Sequence, residues 1–369
     1  MTVVSPEPTP YRAPLFDAIA ERPEIDLTVI YAAETVAGRT WKVEPRHRAV
    51  FLRGVDVPGA RRILHHDYPV TPGIVGALSD ARPDCVVVSG WSLFASQVAI
   101  MWCRLRHVPY LLMVESHDED PRAGWRKAVK GTVVPPIVRH ASGVLVTGTL
   151  ARRSMLARGA RPEQVRVFAN TIDVETWQAR AVELAGRREE LRAAFGLEPR
   201  DVAVLCVARL APEKGLETLA RAVAAAGEPF VALLAGTGPE RGRLEALGMP
   251  LRFAGDLPHD RVIEAYVATD VFALLSEREP WGVVVNEAAT CGLPLVLSDR
   301  VGAAPDLLRP GENGFLVPPG DVDAAADALR ELADPDERRR MGRRSAELAR
   351  DWGYRPSIGS FVAAVREAV

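Results

Sequence analysis

The chain has 369 residues, 48% hydrophobic and 25% charged, the balance of a globular enzyme and too long for one ordinary core. Its 46 Lys and Arg nearly match its 48 Asp and Glu, and the net charge of −2 excludes the basic bias of a dedicated nucleic-acid binder. No apolar run approaches the ~20 residues that cross a bilayer, and residues 1–10 lack the basic-then-apolar pattern of a secretory leader. Cys85, Cys103, Cys206 and Cys291 are scattered, with no C-x-x-C spacing, and read as thiols in a reducing compartment. A cytoplasmic, two-domain protein is expected.

Along the chain, short runs rich in Val, Leu and Ile fall at residues 25–31, 84–89, 109–114, 143–147 and 165–169. They recur at 202–208, 230–235, 251–254, 271–275 and 295–298. Each is almost continuously apolar, as a strand covered on both faces requires. Helical patterns lie between them at 92–106, 214–226, 258–268, 321–332 and 336–349. Repeated β-then-α units predict an α/β protein with parallel sheets and right-handed crossovers, a doubly wound Rossmann-like fold occurring twice. The seam falls within 170–200, where 171–177 reads as loop and 183–195 as one charged amphipathic helix ended by Gly196. Two Rossmann-like lobes facing across a cleft would take ligands beyond the carboxyl ends of their strands. Chemistry is therefore sought in the loops that follow strands.

The densest signal lies at 276–288, after the run 271–275 and before a helix reaching about Cys291 and Gly292. Pro280 and Gly282 suit the turn into that helix. The free amides of Gly282, Val283 and Val284 would sit at the positive end of its dipole, a ready anion site. Glu279 precedes the site, and Glu287 lies roughly 7–8 Å further along the axis at ~1.5 Å per residue. Two carboxylates flanking an amide cluster suit a ligand with hydroxyls at both ends and phosphate in the middle. A nucleotide sugar has that form.

Glu279 and Glu287, with seven residues between them, resemble the E-x7-E signature of retaining glycosyltransferases of family 4, which have the GT-B fold. Residues 288–299 and 311–317 resemble the same family's continuation, and the likeness runs from about 170 to 350. Residues 208–215 are similar to its G-R-L-x-x-x-K-G pattern, with Ala208 in place of the usual Gly. The resemblance implies that Arg209 and Lys214 bind the diphosphate and stabilise its charge as it leaves. A Lys in a first helical turn opposes the macrodipole by ~0.3–1 kcal/mol, and a bound diphosphate would reverse that penalty. Glu279 would hold the sugar hydroxyls and Glu287 would accept from the ribose.

Gly236 and Gly238 suggest a dinucleotide loop, but Arg241 stands where the third glycine of G-x-G-x-x-G belongs. In the family this loop approaches the donor, and Phe253 and Gly255 lie in the segment whose backbone meets the base; two tight turns needing glycine are the alternative. In the first lobe, residues 5–12 resemble the acceptor-side loop, with Tyr11 and Arg12, but lack the Gly-Gly pair many members carry there. His117 corresponds to a residue that often lies against the donor sugar, with a surface histidine as the alternative. The acidic residues 115–120 contain one His and no repeating ligand spacing, so no metal is expected.

Trp91 sits in 90–94, which mimics a nucleophile elbow except that Phe94 occupies the final Gly position. It is read as cleft lining that stacks on an acceptor ring, against packing within the lobe. His65 and His66 read as a solvated loop. Residues 351–354 and the last helix resemble the family's terminal crossover, with Trp352 packing structurally. Domains of 1–170 and 171–350 follow, with 351–369 returning to the first lobe.

The expected activity is retaining transfer from a nucleoside-diphosphate sugar to a hydroxyl acceptor, small-molecule or lipid-linked, with no cofactor and no nucleic-acid partner. Ala-, Arg- and Pro-rich usage points to a GC-rich bacterium and to specialised-metabolite or cell-envelope synthesis. A sugar-nucleotide 2-epimerase of the same fold would isomerise donor without acceptor. A two-lobed binding protein would bind donor without releasing nucleotide. Arg122, Arg126, Lys127 and Lys130 form a basic stretch that reads as a solvated helix face in preference to a lipid contact.

Overall fold

A computed structural model describes residues 1–35, 43–55, 68–116 and 124–369, without the side chains of 124–130, 259 and 260. The apolar runs form strands, most of them buried along their length, with β10 partly exposed. The chain divides into two units, Met1–Thr171 with Tyr354–Val369, and Ile172–Gly353.

The first unit carries β1 (Thr2–Ser5), β2 (Thr28–Tyr31), β3 (Arg48–Phe51), β4 (Val86–Ser89), β5 (Tyr110–Val114), β6 (Gly143–Val146) and β7 (Val165–Val167). They form one parallel sheet in the order β3-β2-β1-β4-β5-β6-β7. An apolar layer covers each face. One is built around Val86, Val88, Leu112 and Val144, the other around Phe16, Val87, Leu111 and Phe361. Phe361 belongs to the last helix, Tyr354–Ala368, which packs on this sheet and on the helix Ala13–Ala20.

The second unit carries β8 (Val202–Val207), β9 (Phe230–Ala235), β10 (Leu251–Gly255), β11 (Val271–Leu274), β12 (Leu295–Ser298) and β13 (Gly314–Val317). Its parallel sheet runs β10-β9-β8-β11-β12-β13. In each sheet the winding reverses beside the first strand, between β1 and β4 and between β8 and β11. Ligands of doubly wound sheets bind at that switch point, outside the carboxyl ends.

Three local features differ from the sequence reading. β1, β3 and β13 are absent from the apolar runs; β1 is a buried strand of only four residues, while β3 and β13 are partly exposed sheet edges. The segment read as loop at 171–177 already holds the helix Val174–Ala185, whose cap Asp173 accepts from the Thr176 amide at 3.1 Å. The single helix read at 183–195 is interrupted at Gly186 and Arg187 before a second helix, Arg188–Ala194; left-handed Gly196 (φ +70) follows it. Among the described residues no helix is long and apolar enough to cross a membrane.

Candidate functional site

At the second switch point the loops after β8 and β11 are wedged together by backbone. Lys214 ends a short 3-10 turn, Pro212–Lys214, and the following helix begins only at Leu216, so Lys214 does not stand in that helix's first turn as the sequence suggested. Gly215 lies between them with φ +64, and a Cβ there would come within 2.0 Å of the Leu275 carbonyl oxygen just past β11. Only glycine allows both the left-handed backbone and that approach. The Glu277 amide donates to the Glu213 carbonyl at 2.9 Å and closes the junction.

This junction brings Lys214 to Glu279. Lys214 Nζ donates to Glu279 Oε2 at 2.5 Å, and both side chains are largely buried, 18% and 15% exposed. Glu279 is itself held by its backbone, the Gly302 amide donating to its carbonyl at 2.9 Å. Three residues on, left-handed Gly282 caps the helix Val283–Thr290. The first-turn amides of Val283 and Val284 have no partner within the helix, and their residues are half-buried. A cation, a carboxylate and a helix amino terminus thus share one corner. Arg209, on the same loop as Lys214, is exposed and pairs with Glu213 Oε1 at 2.5 Å. An exposed i,i+4 pair is worth little, so an anion can recruit that guanidinium at small cost.

Glu287 lies little more than one turn along the same helix and is buried, 8% exposed. Tyr266 donates its hydroxyl to Glu287 Oε2 at 2.7 Å. Burial outweighs that hydrogen bond and raises the Glu287 carboxyl to about 7. Tyr266 carries no motif, and only its place on the neighbouring helix reveals it.

The loops after β9 and β10 join the same end of the sheet. A Cβ on Gly236 would meet the Ala208 carbonyl oxygen at 2.0 Å, so the glycine is needed for the two loops to touch. The Gly236 amide donates to the Gly255 carbonyl at 2.7 Å, and the Leu210 amide to that of Thr237 at 2.8 Å. Gly238 follows in the same loop. Phe253 ends up half-buried with the Arg241 guanidinium over its ring at 5.1 Å.

At the first switch point a cavity of about 340 Å³ opens among the loops after β1, β4 and β5, lined by Glu7, Tyr11, Arg12, Tyr68, Trp91 and Glu115 among others. Arg12 is 4% exposed, hydrogen-bonds the Asn170 side chain, pairs with Glu115 at 3.2 Å and lies over the Phe168 ring at 4.7 Å. Tyr68 donates to Glu7 Oε1 at 3.0 Å. Glu7, though inside the loop 5–12, was not singled out from sequence, and Tyr68 belongs to no pattern. His117, His65, His66 and Arg122 lie outside the described residues, as do the side chains of Arg126, Lys127 and Lys130.

Two doubly wound parallel units, each with its lining loops at a switch point, are the components of a GT-B protein. HepE from Anabaena, solved with UDP, superposes with a TM-score of 0.75 over 100% of both chains at 18% identity. Sucrose-phosphate synthase from Thermosynechococcus elongatus does so with 0.73 over 99% of this chain and 98% of that one, at 21% identity. At these identities the likeness concerns the fold. Residues 10–171 match the glycosyl transferase 4-like domain, and residues 187–348 match glycosyl transferases group 1.

The chain belongs to the GT-B glycosyltransferases of family 4. The sulfoquinovosyl transferase of Arabidopsis thaliana is 31% identical over 300 residues, 78% of this chain and 57% of that protein. A D-inositol 3-phosphate glycosyltransferase of Corynebacterium glutamicum is 33% identical over 229 residues, 57% of this chain and 53% of that one. The chain spans little more than half the length of these relatives.

Proposed function

We propose that the chain is a retaining glycosyltransferase that moves a sugar from a nucleoside-diphosphate sugar to a hydroxyl acceptor, without a metal. The observation that carries this reading is the Lys214–Glu279 pair beside the amino end of the helix Val283–Thr290 at the second switch point. The relatives' names, a sulfoquinovosyl and an inositol phosphate glycosyltransferase, support glycosyl transfer, and the HepE complexes with UDP and with UDP and glucose support a nucleotide-sugar donor.

In the transfer, the bond between the anomeric carbon and the diphosphate breaks and its electron pair leaves on the phosphate oxygen. Lys214, Arg209 and the amides of Val283 and Val284 hold that growing negative charge, an electrostatic stabilisation fixed before the reaction begins. The acceptor oxygen bonds to the same face of the anomeric carbon, and its proton passes to the departing phosphate. Glu279 accepts from the sugar hydroxyls while Lys214 steadies it. Glu287 accepts from the ribose, and the loops bearing Gly236, Gly238, Phe253 and Gly255 flank the base. The first-unit cavity takes the acceptor, whose hydroxyls meet polar side chains while Trp91 covers its ring. A bacterial role in specialised-metabolite or cell-envelope synthesis fits this chemistry.

A thermal-shift screen with UDP, GDP, ADP and their sugars tests the reading. One base series is expected to raise the melting midpoint, since ligand at 100 times its Kd stabilises by about 2.7 kcal/mol. Turnover should persist in EDTA. A melting point unmoved by every nucleotide would end the proposal.

A further inference from the structure

A second cavity, of about 550 Å³, lies in the second unit, at the end of its sheet opposite the donor corner, by the amino ends of β8, β11 and β12 at Val202, Asp270 and Pro294. Its walls carry five arginines, Arg188, Arg192, Arg200, Arg338 and Arg339, against two acids, Asp201 and Asp270. Arg200 and Arg339 have partners beyond those walls, in Glu198 and Asp336. Arg188 and Arg192 share Asp270, at 2.7 and 3.0 Å.

Most of what fixes these cations is neutral. Arg188 donates to the carbonyls of Val267 and Thr269, and Arg192 to those of Ala268, Glu198 and Asp201. Arg338 donates through Nη1 to the Leu332 and Ala333 carbonyls at 2.7 and 2.8 Å. Its Nε and Nη2 meet no acceptor, and it has no carboxylate within ion-pair distance, among the described residues. A carbonyl fixes a guanidinium's direction and leaves its charge in place. Two half-buried guanidiniums and one almost fully buried, oriented this way on a surface of mixed charge, form a positive basin with donors to offer.

We propose that this basin is an anion site, separate from the donor corner, that takes the phosphate group of a small phosphorylated metabolite. The guanidinium fork of Arg338 grips two phosphate oxygens, Arg200 closes over the group from the exposed rim, and Arg188 and Arg192 supply the field behind it. The volume exceeds that of a single phosphate and leaves room for the carbon skeleton that bears it.

Isothermal titration with inorganic pyrophosphate at low chloride reads the site directly. The wild-type chain should show two classes of binding. Arg338→Gln should raise the Kd of one class by about tenfold or more and leave the other alone. Lys214→Ala should do the reverse. Because Arg338 also ties two carbonyls, Arg200→Gln serves as a second variant: its side chain is exposed and, among the described residues, pairs with Glu198 alone, so folding is not in question. It should weaken the same class severalfold. Co-sedimentation with phosphatidylcholine vesicles, with and without phosphatidic acid, separates a free phosphate from a lipid headgroup; sedimentation that depends on both phosphatidic acid and Arg338 would overturn a metabolite as the occupant. A single class of pyrophosphate site, lost in Lys214→Ala and untouched by either arginine change, overturns the proposal outright.

Discussion

The loops after β8 and β11 each carry their chemistry on a short contiguous motif, whereas the cavity after β1, β4 and β5 gathers residues scattered from Ser5 to Ser116. Under the proposed function, the difference follows from what each would touch. A phosphate is held by amides and by backbone that comes close, and close approach demands particular residues at particular spacings, as at Gly215 and Gly236. An acceptor of hydroxyls and a ring is held by side-chain tips. Many residue types on many loops satisfy that, so no spacing records it. If this contrast is real, substitutions in the second unit should disturb donor handling and stability, and those in the first should change acceptor preference alone.

The largest effect is expected from Lys214→Ala. Removing the cation beside the leaving group should lower turnover by about 10²–10³-fold, and the nucleotide-induced thermal shift should shrink with it. Gly215→Ala comes next. A methyl group 2.0 Å from a carbonyl, on a residue at φ +64, should destabilise the chain by about 2–4 kcal/mol in urea unfolding and loosen nucleotide binding.

Glu287 separates stability from binding. Its folded carboxyl titrates at about 7 against an ordinary 4.5, so between those values the folded chain keeps a proton that the unfolded chain gives up. The stability this group contributes is complete below pH 4.5 and is lost as pH rises through about 7. Glu287→Gln should therefore be more stable than wild type at pH 8, by on the order of 2–3 kcal/mol, with the gap closing toward pH 5. Ionised Glu287 is the better acceptor for ribose hydroxyls, so wild-type donor affinity should rise from pH 6 to 8 and stay flat and weaker in the variant. Equal donor affinity in the two proteins at pH 8 would remove Glu287 from the ribose. The smallest effect is expected from Trp91→Ala: a severalfold rise in acceptor KM, with the Kd for donor nucleotide unchanged.

Much of the second unit was legible in its sequence because burial on both faces writes continuous apolar runs, and the proposed phosphate recognition would write a spaced motif. The Glu279 and Lys214 positions were readable; their direct pairing was not, since 65 residues separate them and only the Gly215 junction brings them together. Edge strand β3 escaped because Arg48 opens it and leaves only three apolar residues. Tyr266 escaped because a buried aromatic on a helix is usually core, and nothing in its neighbourhood marks it as the hydroxyl that meets Glu287. Arg12 was visible as a cation near the first helix, while its engagement with Glu115 and Asn170 depends on residues about 100 and 160 positions away.

The carbonyl-to-glycine contacts at Gly215 and Gly236 bear on how such an enzyme can diversify. Loops locked main chain to main chain cannot be lengthened or shortened one at a time, because an insertion in any of them would displace its neighbour. New substrates on this scaffold must therefore come through exchange of single side chains around the donor corner, or through remodelling of the first unit's cavity loops, where a Cβ on Gly90 would meet nothing within 4 Å.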